Sequence, residues 1–336
     1  MKRTGRLRLG IFSYLEGEGT PSQNFCEATR MYTLADSLGV DIAWVAHHHF
    51  ARIGGLPSPF IYFAALGART SQIGFGTAVI QVPTENTVRL AEDASVLEAL
   101  FPGRLQLGLG TGFTTDAGLQ AFGHPEGTNK RAVYDAAVEQ LYNHLRGERI
   151  TSDGGVLYPD GGDLPDRIWE SPASVEKTIE AARRGSGLLL SRVAIGVSDR
   201  DTDEVQRELV DAYSSALPEG VEPRIGLSRT VWATNDPDAA YESLAAGLLK
   251  GAQNRRNGQP SPYEGRPVED LFDIFNVHWG TPETVAASLL AEPLLDESTD
   301  LICQLSPGTP THAETLSAIE LLATEVGPRI GWTPNT

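Results

Sequence analysis

Short apolar runs with the two-residue period of a strand alternate, from one end of this chain to the other, with stretches of helical period. Leu7, Leu9 and Ile11 alternate with polar or small residues. Phe25, Ala28, Met31, Tyr32, Ala35 and Leu38 then recur at helical spacing within 24–38, with Gly39 as the stop. The strand VDIAWV, the helix FIYFAALGA after Pro59, the strand IGFGTAVIQV and a helix over Thr87–Leu100 follow, and PGR opens the strand RLQLGLG. A long helix over about 129–145 leads to the strand DRIW, a helix over 174–184, the strand GLLLS, a helix over 202–216 and the strand RIGLSRTVWA. Helices over 237–249 and 281–290, the strand DLICQL and a helix over 311–326 complete the chain. That order belongs to a parallel sheet covered by helices. An open doubly wound sheet gives a similar string, and the count of eight favours closure into a (β/α)8 TIM barrel. One domain is expected over 1–336, with polar excursions at about 147–165 and 250–273, the second a candidate lid.

The charge narrows the partners. Against 27 basic residues stand 44 acidic ones, a net −17, which argues against nucleic acid or an anionic membrane. Cys26 and Cys303 lie far apart with no CxxC spacing, so neither a disulfide framework nor a cysteine metal site is expected. The basic start, MKRTGRLRLGIFSYLEG, has too short and interrupted an apolar stretch for a signal peptide, and no run reaches the length of a membrane span. A cytoplasmic enzyme is the expectation.

In a barrel of this kind, chemistry sits at the carboxyl ends of the strands. The second strand ends in His47-His48-His49, where a period of two puts His47 and His49 on one face and His48 on the other. The third ends in Gly76-Thr77-Ala78-Val79, small residues that let a flat ligand approach the backbone or that simply fit a tight core. GLGTGF after the fourth strand is not a dinucleotide fingerprint, because Phe113 and Thr115 stand where the third glycine would be; Gly110 and Thr111 remain candidates for a glycine-lined wall. After the fifth strand, Glu170-Ser171-Pro172-Ala173-Ser174 runs into a helix. Hydroxyls and free N–H groups at a helix start suit a phosphate, although Ser174 equally reads as a plain N-cap. Ser191 and Arg192 follow the sixth strand.

These motifs together resemble a known family. GTAVIQVPTENTVRLAEDASVLEALFPGRLQLGLGTGF is similar to the central run of the luciferase-like monooxygenases, and WVAHHHF is similar to their W-[VL]-x-E-H-H-F. RIWESPASVEKTIEAARRG and HWGTPETVAASL match their phosphate segment and one of their closing units, so the resemblance spans about residues 6–330. It implies His48 as the histidine of flavin hydroperoxide chemistry, with His47 beside it. It also implies a strand bulge at Ala78-Val79, often a non-proline cis peptide, under the isoalloxazine, and Ser171 and Ser174 at the FMN phosphate, flanked by Glu170. Two positions depart from the pattern: His47 replaces a glutamate, and Thr111 replaces an arginine that reaches the phosphate. Arg192 is the expected substitute cation.

The implied reaction captures reduced FMN from a separate NAD(P)H:flavin reductase. Oxygen then forms a flavin C4a-(hydro)peroxide, which oxygenates a small organic substrate inside a solvent-shielded barrel. A homodimer is implied too. Three other readings remain: a relative using coenzyme F420 for hydride transfer, a flavin-binding protein without catalysis, and a metal-dependent barrel hydrolase built on His47-x-His49. The last lacks further ligands, since His124, His144, His278 and His312 read as loop or helix residues. No metal is expected.

Overall fold

The computed structural model describes residues 2–17, 19–50, 55–193, 200–253, 261, 263–305 and 310–335. Among them run ten strands: β1 (Arg8–Ser13), β2 (Ile42–Val45), β3 (Gly74–Thr77), β4 (Ile80–Gln81), β5 (Leu105–Gly110), β6 (Ile168–Glu170), β7 (Gly187–Leu190), β8 (Ile225–Ala233), β9 (Val277–Gly280) and β10 (Asp300–Gln304). Every pairing is parallel. The ring runs β10–β1–β2–β3–β5–β6–β7–β8 and closes where Asp300–Gln304 of β10 pairs with Gly226–Thr230 of β8. Eight strands with helices outside them make the expected closed barrel.

Two layers of apolar packing hold it together. The outer layer, between strands and helices, takes alternate residues such as Leu9, Ile11, Ala43, Val45, Leu107 and Leu227. The inner layer is smaller: Phe12, Ile42, Trp44, Ala46, Trp169, Leu189 and Ile302, with Tyr14, Ala78 and Val79 packed against it. Trp44 and Trp169 meet edge to face, ring centroids 6.0 Å apart, and Trp169 Nε1 donates to Gln106 Oε1 at 2.9 Å. Neighbouring strands make room by carrying glycine. A Cβ on Gly76 would lie 2.2 Å from the Trp44 ring, and one on Gly187 2.3 Å from the Trp169 ring.

Helix starts follow side-chain capping. Thr20 and Gln23 form a capping box that opens the first helix at Pro21, ahead of the start that apolar spacing implies. Asn86, Asn129 and Ser174 each accept a backbone N–H at the start of the helices Thr87–Leu100, Lys130–Leu145 and Val175–Arg184.

Three details differ from the sequence reading. IGFGTAVIQV is two short strands, β3 and β4, rather than one; they part at a cis peptide between Ala78 and Val79, as the family resemblance implies. β9 was not foreseen; it pairs with Thr230–Ala233, the outer half of the nine-residue β8, beyond the ring, and His278 lies on it rather than in a loop or helix. The 147–165 excursion buries Leu157 and Leu164 in the outer core instead of standing clear of it. Residues 254–260 and 262 of the candidate lid lie outside the described residues; the rest of that stretch includes a helix, Val268–Ile274. No helix among the described residues is long and apolar enough to cross a membrane.

Candidate active site at the barrel mouth

Alternation along β2 decides which histidine meets the mouth. Trp44 and Ala46 belong to the inner layer, so His48, two residues on, continues the inward face. Its ring stacks on Tyr14 from the end of β1, centroids 6.1 Å apart. His47 continues the outward face of Val45 and is buried behind the strand. Its Nδ1 accepts the N–H of Gln81 at 3.0 Å, and its carbonyl accepts Gln81 Nε2 at 2.6 Å. Gln81 Oε1 in turn accepts the Thr114 hydroxyl at 2.6 Å, joining the loops after β2, β4 and β5.

His47, His49 and Glu85 converge, with ligand atoms within 4.8 Å of one another. His47 Nε2 lies 3.5 Å and His49 Nε2 3.9 Å from Glu85 Oε1. The trio does not suit a metal. Nδ1 of His47 already accepts an amide N–H, so in the neutral ring Nε2 carries the proton and offers no lone pair; a metal-binding imidazole has the opposite arrangement. Burial, reinforced by His49 and His48, lowers His47 to about 3, so the ring is neutral at ordinary pH. Burial and then Asp93 raise Glu85 to about 7.

A cleft of about 730 Å³ opens between the ends of β5, β6 and β7. Its lining includes Val79, Gly110, Thr111, Phe113, Ser171, Leu190 and Ser191. A Cβ on Gly110 would sit 2.5 Å from Val79 Cγ2, so the bulge and the β5 glycine meet with no side chain between them. A second cavity of about 350 Å³ shares Thr111, Ser171, Pro172 and Ala173 with the first and adds Arg131, Tyr134, Glu170, Lys177 and Arg184. One end of the combined space is therefore broad and largely apolar, and the other is cationic.

The sequence candidates divide accordingly. Val79, Gly110, Thr111, Ser171 and Ser191 line the space together, and Ala78 packs on the inner layer beside them. Glu170 reaches the cationic cavity, but both its oxygens are committed to Arg184, Tyr134 and Ser186 at 2.7–2.9 Å; it holds Arg184 in place. Ser174 is exposed, lines neither cavity and caps its helix through Lys177 N. Arg192 is turned away: Nη1 donates to Thr230 Oγ1 at 3.0 Å and the guanidinium lies 5.0 Å from the Phe275 ring centroid. The cations that line the cavity are Arg131, Lys177 and Arg184 rather than Arg192. Lys177 pairs with Asp135 and Glu180, and Arg184 with Glu170, while Arg131 opens the helix Lys130–Leu145 on the cavity wall. The seven-residue spacing of Lys177 and Arg184 puts them on one helix face, a legible signal; Arg131 carried none.

Residues 7–295 match the luciferase-like monooxygenase family. The N-acetyl-S-alkylcysteine monooxygenase of Bacillus subtilis is 28% identical over 304 residues, covering 84% of this chain and 88% of that protein. Two solved structures share the fold. The oxygenating constituent of 3,6-diketocamphane monooxygenase from Pseudomonas putida, a type II Baeyer–Villiger monooxygenase in complex with FMN, superposes with a TM-score of 0.75 at 16% identity, covering 98% of this chain and all of that one. The coenzyme F420-dependent tetrahydromethanopterin reductase of Methanopyrus kandleri gives 0.70 at 15% identity, covering 97% and 100%.

Proposed function

Because the chain belongs to the luciferase-like monooxygenase family, we propose that it is a cytoplasmic FMN-dependent monooxygenase. In this reading it oxygenates a small organic substrate with O2, receives reduced flavin from a separate reductase and works as a homodimer. The observation that carries FMN is the continuity of a glycine-walled cleft with a cation-lined pocket, a shape for a flat ring system tailed by a phosphate.

The residues present fit that group. Ser171 and Thr111 offer hydroxyls where the two cavities meet, and Arg131, Lys177 and Arg184 supply positive charge behind them. Val79 against Gly110 leaves a flat wall for the rings. Reduced FMN bound there would supply the electrons that activate O2 for transfer of one oxygen atom to the substrate. His48, on the inward face beside Tyr14, stands where it can hold or pass a proton, with the bulky apolar inner layer below it.

Titration of the flavin-free protein with FMN, riboflavin and coenzyme F420 tests this, followed by oxygen uptake with reduced FMN across a substrate panel. FMN should bind about 10–100-fold tighter than riboflavin, the span of one or two charge-assisted hydrogen bonds. Arg131→Ala should narrow that ratio, and Ser171→Ala should weaken FMN more than Ser174→Ala. Equal affinity for FMN and riboflavin would remove the phosphate site. Preference for F420 would convert the reading to hydride transfer, and binding without substrate-dependent oxygen uptake would leave a flavin carrier.

A further inference from the structure

Three rings and one carboxylate lie together where only the outermost ring faces the mouth. Gln81 N–H fixes the tautomer of His47, so Nε2 carries the ring proton; it has no hydrogen-bond partner among the described residues, and Glu85 Oε1 lies 3.5 Å from it. The His49 ring, 4.5 Å from that of His47, turns its Nε2 toward the same oxygen at 3.9 Å. Glu85 follows the turn Val82–Thr84, and His124 Nε2 lies 2.7 Å from the Pro83 carbonyl within that turn, tying it to the 111–124 loop. The residues on both sides of His48 thus lie against one side chain of another loop, while His48 lies on the opposite face against Tyr14.

We propose that Glu85 is the positioning residue of the histidine run: its carboxyl group, packed against Nε2 of both His47 and His49, sets where His48 stands at the mouth. The neutral state of the buried His47 ring agrees with a single proton, on Nε2. The charged or titratable groups facing the Glu85 carboxyl are His47 and His49 from the loop after β2, and Asp93 from the helix Thr87–Leu100. Within that helix Arg89 is already engaged with Glu92 and Asp93. The consequence is specific to this chain. WVAHHHF is similar to a pattern with glutamate at position 47, yet His47→Glu here would set a second carboxylate against Glu85. The two positions should be exchangeable only together.

The role of His48 rests on the flavin reading above, but the test does not, because it uses flavin-free protein. Glu85→Ala, Glu85→Gln, His47→Glu and the exchange His47→Glu/Glu85→His are compared by thermal melting and by 13C-histidine NMR of the ring signals. His47→Glu should lower the midpoint by roughly 5 °C, and the exchange should recover more than half of that loss, the coupling expected of groups in contact. Glu85→Ala should move the His48 ring signal and its titration midpoint, while Glu85→Gln, which retains an acceptor oxygen, should leave the signal near its original place. His47→Glu melting like wild type, an exchange no better than the worse single change, or a His48 signal unmoved in Glu85→Ala would each overturn the proposal. So would tight Zn2+ binding lost in Glu85→Ala, since it needs a lone pair where the structure has an N–H.

Discussion

His48 and His47 are adjacent in sequence and opposite in environment. The inward one lies against Tyr14 and lines neither cavity, so His48→Ala should leave FMN affinity nearly intact and slow substrate oxygenation about 10²–10⁴-fold, the range for loss of a general acid–base group. Single-turnover oxidation of reduced FMN with substrate present reads this directly; wild-type turnover in that variant would make the histidine structural. His47 and Glu85 instead shape the pH dependence of stability. A lowered imidazole stabilises the fold above its ordinary 6.5, and that contribution is lost as pH falls toward about 3. A raised carboxyl does the reverse, contributing below 4.5 and losing that as pH rises through about 7. The two oppose each other between 4.5 and 6.5, so the alkaline side belongs to Glu85 alone. Urea melts should therefore show Glu85→Gln gaining on wild type from pH 5 to pH 8, and a constant difference would contradict the raised value. The inward direction of His48 could be read from a period of two. The partner of His47 could not, because Glu85 is 38 positions away on a loop with no period.

Among the elements, the eight ring strands and their order were legible because each carries a continuous or alternating apolar run between turn signals. β9 was not: VHWG is four residues long, follows a polar stretch, and alternates in burial only because it lies against the free half of β8. What anchors that region was equally silent in sequence. Arg229 of β8 is fully buried on the outer face, donating to Gln206 Oε1 at 3.0 Å and Glu292 Oε2 at 2.7 Å, while His278 of β9 lies 3.0 Å from Glu292 Oε1. Burial works against the Glu292 charge, but His278 and Arg229 outweigh it and hold the carboxyl at about 2. Glu292→Ala would leave the buried guanidinium with Gln206 and the half-exposed Asp203, 3.5 Å away, and should cost about 3 kcal/mol. The stability that Glu292 gives is present above 4.5 and lost as pH falls toward 2, so the gap between wild type and Glu292→Ala should shrink in acid. Denaturant melts at pH 7 and pH 3 check both points, and a gap that stays the same would assign the effect to packing.

For the whole molecule, ring closure joins the two ends of the chain: β10 lies between β1 and β8, and Arg8 of β1 reaches Asp300 of β10 at 2.9 Å. We take the chain as one domain on that basis, and a single cooperative calorimetric transition is its signature. The outside of the barrel is less uniform than its charge suggests. On the adjoining helices Pro59–Gly67 and Thr87–Leu100, Ile61, Val96 and Leu100 are 75%, 46% and 59% exposed. An acidic chain of net −17 repels its own copies except where apolar surface outweighs the charge, and on this face Arg89 offsets part of the charge of Glu92 and Asp93. A two-fold contact between copies of these helices would cover all three side chains at once. Light scattering at micromolar concentration should then give twice the 36.1 kDa of one chain. Ile61→Asp with Leu100→Asp should halve that mass, because both substitutions put like charges across the axis. A monomeric wild type, or a dimer indifferent to both changes, would move the contact to another face of the barrel.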